Sequence, residues 1–285
     1  MQLKSINSLK SQQMKSKHLY DFPKYKITES NDFWFSGIFG VKNAGKSNAV
    51  LNILTIEADI MLSGNNKCYY FSPTTDSKLE LFEEQHKSNF QIIPELNLEA
   101  FNKVVDEIQA ENEEWKLTMK LVALLNKPKL THEEQIELEN NVLLETLDLQ
   151  SFIFDHPPIH TIVIDDSMHS PMITSQFHKQ GREFIKFAIR HRHEYTNLFI
   201  LSQHIRQISK VLRTNMNAII IFPFRDATIY HNVFQEYSTL FENDINNFLT
   251  IMKEIERRDN HGFLFIFYDK VRFVHIGFNE EVKMD

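Results

Sequence analysis

Gly40-Val41-Lys42-Asn43-Ala44-Gly45-Lys46-Ser47 follows directly on the apolar stretch FWFSGIF at 33–39 and runs on into NAVLNILTIEADIML, whose apolar positions recur at helical spacing. Strand, tight loop and helix are therefore expected in immediate succession, with G-x-x-x-x-G-K-S in the loop. Gly40 and Gly45 permit a backbone course and a close approach that a side chain would block. Successive N–H groups over 43–47, aided by the positive end of the following helix, form a cradle for phosphate oxygens. The chain holds only 7 glycines, and two of them stand where the motif requires them. The cradle residues are Gly40, Asn43, Ala44, Gly45, Lys46, Ser47 and Asn48. Lys46 is expected to reach the β- and γ-phosphates of a nucleotide, and the Ser47 hydroxyl to ligate Mg²⁺.

A second element supports the first. Ile162-Val163-Ile164-Asp165-Asp166 ends a buried strand in two carboxylates. Asp165 is placed to hold a hydrated Mg²⁺ beside the loop, and Asp166 to polarise an attacking water. A third strand, NLFILS at 197–202, ends at Gln203, whose amide could sense the γ-phosphate. The nucleotide expected is ATP, because the nearest match to a guanine-reading N-K-x-D element, Asn126-Lys127-Pro128-Lys129, lacks its aspartate.

Strand candidates at 33–39, 68–72, 90–93, 159–164, 197–202 and 218–222 are near-continuous apolar runs separated by helical segments, including one expected at about 173–195. That pattern belongs to an α/β fold with a mostly parallel sheet covered on both faces. Two further strands at 263–268 and 271–276, joined by Asp269-Lys270, suit a β-hairpin at the sheet edge. Residues 1–30 are polar and lysine-rich and read as an arm standing outside the sheet. One ATPase domain, 31–285, follows, with a helical insertion at about 96–154 broken near Lys127-Pro128-Lys129. Thirteen Asp or Glu against five Lys between Glu95 and Gln150 make that insertion acidic, a solvated helical hairpin rather than a nucleic-acid face.

The net charge of −7 names no partner by itself. It conceals a basic region: residues 176–225 carry nine Lys or Arg against only Glu183 and Glu194, suited to DNA phosphates or to an arginine donated to a neighbouring subunit. The single Cys68 cannot form an intrachain disulfide, and the 13 histidines show no zinc spacing. No stretch is long and apolar enough for a membrane span, nor does the start of the chain have a signal-peptide core.

The order GVKNAGKSN, Ser72-Pro73, IVIDDSM, RHEYTNLFILSQ and VLRTNMNAIIIF resembles the viral genome-packaging ATPases of the FtsK/HerA P-loop superfamily. In that family an Arg-His pair precedes the strand ending in the sensor glutamine, and an Arg-x-Asn element precedes the next strand. Arg192-His193, Gln203, and Arg213 with Asn215 occupy those places. The resemblance covers roughly residues 33–225. It implies a RecA/FtsK-HerA-like P-loop fold and Mg²⁺-dependent ATP hydrolysis coupled to translocation of double-stranded DNA into a capsid. The implied assembly is a pentameric or hexameric ring meeting capsid or portal proteins in the host cytoplasm, a viral factory or the virion, with Arg192 or Arg213 acting across the subunit interface. The competing readings are a cellular or plasmid DNA pump of the same superfamily, a nucleoside or nucleotide kinase, and a non-hydrolysing nucleotide-binding scaffold.

Overall fold

The computed structural model describes residues 2–5, 33–62, 64–142, 157–259, 261–268, 272–276 and 280–283. After β1 (Gln2–Ser5), the strand expected before the glycine loop forms as β2 (Phe35–Phe39) and leads into α1 (Lys46–Ile56). A short α2 (Ala58–Met61) precedes β3 (Lys67–Phe71), α3 (Ser77–Gln85) and β4 (Phe90–Ile93). The insertion is a helical pair, α4 (Leu98–Leu125) and α5 (His132–Val142); its final part, 143–156, lies outside the described residues.

The chain then returns through β5 (His160–Ile164), α6 (Pro171–Thr174), α7 (Lys179–Arg190), β6 (Thr196–Ser202), α8 (Lys210–Asn215) and β7 (Ala218–Ile221). Helices α9 (Ala227–Tyr237) and α10 (Ile245–Arg258) precede β8 (Leu264–Tyr268), β9 (Arg272–Ile276) and β10 (Glu280–Lys283).

These strands form one sheet in the order β1-β10-β9-β8-β7-β2-β6-β5-β3-β4. The six from β7 to β4 are parallel, and those from β8 outward are antiparallel. Alternation along each parallel strand divides the apolar side chains between two faces. Phe35, Phe39, Ile162, Ile164, Leu198 and Ile200 join the core under α4, α7 and α10, while Ile38, Val163, Phe199, Leu201 and Ile220 join the core under α1 and α3. Both faces are covered, which is why these runs are apolar throughout. Two buried amides fix where β2 enters: Trp34 N–H donates to Asn197 Oδ1 at 2.9 Å, and Phe35 N–H to Asn217 Oδ1 at 2.7 Å.

Four expectations change. The arm does not stand wholly outside the sheet, since Gln2–Ser5 pair antiparallel with β10 at its outer edge. A four-residue edge strand is held by backbone bonds to an edge already present, and QLKS has no apolar run to announce it. The β8–β9 hairpin forms as expected but is not the sheet edge, because β10 and β1 extend beyond it; its turn at Asp269-Lys270 lies outside the described residues. The single helix expected at 173–195 is broken, because the ring of His178 accepts the N–H of Gln180 and starts α7 afresh. The insertion is not simply solvated. Asn97 caps α4 through the Ala100 N–H at 2.8 Å, and Phe101, Val104 and Ile108 bury one face of the helix against the sheet and α7.

Candidate functional site

The register of the parallel strands brings three chain segments to one edge. Phe39 lies opposite Ser202, Phe71 opposite Ile164, and Ile164 opposite Ile200. Gly40, Asp165 and Gln203, each the residue next or nearly next to a strand end, therefore emerge together at the carboxyl ends of β2, β5 and β6, where open α/β sheets bind ligands. An open cavity of about 430 Å³ lies there, lined among others by Asn43, Lys46, Ser47, Asp165, Asp166 and Gln203.

Of the two motif glycines, Gly45 takes a left-handed backbone and Gly40 does not. Asn43 adopts φ 64° and Gly45 φ 106°, left-handed values that turn successive N–H groups inward. A Cβ on Gly40 would come within 2.8 Å of the Cβ of Phe222, so that glycine is required by packing. No acidic residue occupies the first turn of α1, which leaves the positive helix terminus available to an anion. Lys46 Nζ meanwhile donates to the carbonyls of Gly40 at 2.8 Å and Val41 at 3.0 Å. Burial pushes its pKa below the ordinary lysine range, partly offset by the nearby Asp165 and Asp166. An arriving phosphate would relieve that penalty.

Ser47 Oγ donates to Asp165 Oδ2 at 2.6 Å, joining residues 118 positions apart. Tyr70 donates its hydroxyl to the same oxygen at 2.8 Å. Asp166 is exposed and adopts φ 48°, uncommon backbone for a non-glycine residue and of the kind that gathers at functional sites. A hydroxyl and two carboxylates beside a phosphate cradle are the hard oxygen donors that Mg²⁺ selects. Among the described residues no cluster of three or more His, Cys, Asp or Glu could hold a metal by itself. Mg²⁺ at this place would therefore be shared with nucleotide phosphates, its usual mode.

Ala44 is buried and Asn48 is exposed at the start of α1. The Ala44 carbonyl accepts from Nδ1 of His261 at 3.2 Å, which ties the loop to the segment entering β8. Neither His261 nor Tyr70 carries a signal in the sequence that separates it from other histidines and strand tyrosines.

The two arginines do not join the cavity. Arg192 is exposed just before β6, at the end opposite Gln203, about 20 Å away by the rise of seven strand residues. Arg213 is 10% exposed, pairs with Glu236 at 2.7 Å and donates to the Ile208 carbonyl at 2.6 Å. Elsewhere in the basic region, Lys186 pairs with Glu183, Arg190 with Glu194, and Arg206 with the Gln235 amide; Lys179 and Arg182 are exposed on α7. No helix among the described residues is long and apolar enough to cross a membrane.

No protein-family model and no curated protein sequence matches the chain. Solved structures do. The genome packaging NTPase B204 from Sulfolobus turreted icosahedral virus 2, in complex with AMP, aligns over 86% of this chain and 96% of its own, with 11% identity and a TM-score of 0.50. B204, the DNA-packaging ATPase from Sulfolobus turreted icosahedral virus, aligns over 87% and 98%, with 11% identity and a TM-score of 0.50. The fold is thus the α/β P-loop NTPase fold these structures share.

Proposed function

We propose that this chain is an ATP-hydrolysing translocase that packages double-stranded DNA into a viral capsid. The observation that carries the hydrolytic part is the 2.6 Å bond between Ser47 Oγ and Asp165 Oδ2 at the mouth of the phosphate cradle. It joins the two Mg²⁺-ligating groups beside Lys46. The DNA-packaging part is supported by the order of motifs over 33–225 and by the fold shared with the B204 structures, the latter described as packaging NTPases.

In this reading Lys46 leaves the Gly40 and Val41 carbonyls for the β- and γ-phosphate oxygens, trading neutral acceptors for charged ones. The cradle N–H groups hold the phosphates in place. Mg²⁺, when bound, neutralises charge developing on the phosphate oxygens. Ser47 can offer an oxygen lone pair to the cation while keeping its proton, which points at Asp165 Oδ2. Asp166 accepts a proton from the attacking water, and Gln203 orients that water against the γ-phosphate. Arg192, exposed and unable to reach its own subunit's cavity, is the arginine offered to a neighbour in a homo-oligomeric ring, in preference to Arg213, whose fork is already engaged. Exposed basic residues such as Lys179 and Arg182 contact DNA phosphates.

The test is steady-state ATP hydrolysis by the purified chain with Mg²⁺, alone, with linear double-stranded DNA, and with a panel of nucleosides and nucleotides as phosphoryl acceptors. Stimulation by DNA is the expected result. Turnover that requires an acceptor would assign a kinase instead, and binding of ATP without turnover under every condition would assign a scaffold.

A further inference from the structure

Alternation along β3 sends its two adjacent tyrosines to opposite faces of the sheet: Tyr69 joins the core under α4, and Tyr70 joins the core under α1. Both rings are almost wholly buried, so composition and burial treat them alike. Their hydroxyls have different surroundings. That of Tyr70 reaches the carboxyl edge of the sheet and donates to Asp165 Oδ2 at 2.8 Å, the oxygen that also accepts from Ser47 at 2.6 Å. Asp165 is further tethered through its backbone, with its N–H bonded to the Phe71 carbonyl at 2.8 Å and its own carbonyl accepting from Ser167 Oγ at 3.0 Å.

A carboxylate at a strand end has two side-chain torsions to order before it can serve as a ligand. Bonds from two directions to one oxygen order both torsions in advance, and preorganisation of this kind raises affinity by removing a cost from the binding step. Both donors use Oδ2, which leaves Oδ1 without a protein donor among the described residues. Removing Ser47 from Asp165, as cation ligation could do in part, would still leave Tyr70 holding the carboxylate.

We propose that Tyr70 is a positioning residue whose hydroxyl holds the Asp165 carboxylate in its cation-receiving orientation and thereby sets the divalent-cation affinity of the site. The proposal rests on the reading of Asp165 as the carboxylate that serves the cation. Tyr70 is not a catalytic residue, since its hydroxyl bonds the Asp165 carboxylate and sits beside Ser47 without lining the cavity. A purely structural Tyr70 would behave differently: its ring packs beside Phe90 with centroids 5.8 Å apart, a contact that phenylalanine keeps.

The experiment titrates Mn²⁺, followed by its electron paramagnetic resonance signal, into the full chain saturated with ATPγS. Tyr70→Phe should weaken Mn²⁺ binding about three- to tenfold, the order of one ordinary net hydrogen bond, because the lost bond acts on the cation only through Asp165. Metal-free ATPγS affinity should stay within about twofold, because the cradle of 43–47 is not touched. Tyr69→Phe, which removes the neighbouring hydroxyl from the other face, should leave both affinities unchanged. Asp165→Asn separates the two levels of the argument. If it weakens Mn²⁺ binding and Tyr70→Phe does not, the positioning role is overturned while the Asp165 reading stands. If Asp165→Asn itself leaves Mn²⁺ binding intact, the Asp165 reading falls and the Tyr70 proposal with it. A second readout deletes nothing: fluorotyrosine placed at position 70 should shift its fluorine resonance when Mg²⁺ is added to the ATPγS complex, whereas the same label at position 69 should not. An unmoved resonance at 70 would also overturn the proposal.

Discussion

Arg213 Nη2 lies 2.7 Å from Glu236 Oε1, a contact that ties the helix before β7 to α9, and the arginine is only 10% exposed. Arg213→Ala should therefore act on stability, destabilising by about 2–4 kcal/mol, because it strands a partly buried carboxylate and frees the Ile208 carbonyl. Arg192→Ala should leave stability within about 0.5 kcal/mol, as for exposed positions generally, yet abolish DNA-stimulated turnover. Urea melts combined with ATPase assays of both variants check this pair. Mixing Arg192→Ala chains with Lys46→Ala chains should restore part of the activity if the arginine is donated across an interface.

Lys46→Ala should lower ATP hydrolysis by at least about 10²-fold, the scale of losing a preorganised charge at a reacting phosphate. The same variant should remain folded. Burial already works against the ammonium, so its removal spares a desolvation cost even as two hydrogen bonds to loop carbonyls are lost. Circular dichroism and single-turnover hydrolysis give the two answers, and turnover at the unmodified rate would remove Lys46 from the mechanism.

Asp165→Asn keeps an oxygen that can accept from Ser47 and Tyr70 but removes the charge facing the cation. The Mg²⁺ concentration for half-maximal hydrolysis should rise on the order of tenfold or more, as for loss of a group supporting a metal. The melting temperature should change little. An unaltered Mg²⁺ requirement would contradict the ligand role.

His160 supplies a pH signature away from the site. It is completely buried, neither ring nitrogen has a hydrogen-bond partner, and Nε2 is 3.7 Å from Glu111 Oε2, too far for a bond. Burial, reinforced by Lys67, lowers its pKa to about 4 from the ordinary 6.5. His191 is also lowered to about 4, again by burial first. A histidine that must stay neutral in the folded state binds its proton more readily when unfolded, so its contribution is complete above pH 6.5 and is lost as pH falls from 6.5 toward 4. The loss is of order 3 kcal/mol per histidine across that window. His160→Phe, which can still face Tyr69, should flatten the slope of unfolding free energy between pH 6.5 and 4.5. Parallel slopes for variant and parent would show that His160 does not titrate in this way.

What the sequence by itself determined is what is contiguous in it. The turn from Gly40 to Ser47 needs its glycines and its helix start within eight residues, so its backbone and its phosphate-binding character are legible without any distant partner. The same holds for the apolar runs of the parallel strands, including the one that ends in Asp165, because burial on both faces leaves a local compositional mark. Tertiary structure alone decided which residues meet across long separations. The insertion of β6 between β2 and β5, the placement of Tyr70 rather than Tyr69 against Asp165, the engagement of Arg213 by Glu236, and the pairing of Gln2–Ser5 with β10 all depend on register and packing between segments far apart in the chain. Periodicity says which face of an element is apolar, but not which partner will stand opposite each polar atom. For that reason the glycine loop is readable from the sequence, while the groups that meet the Asp165 carboxylate and engage Arg213 emerge only once the sheet is assembled.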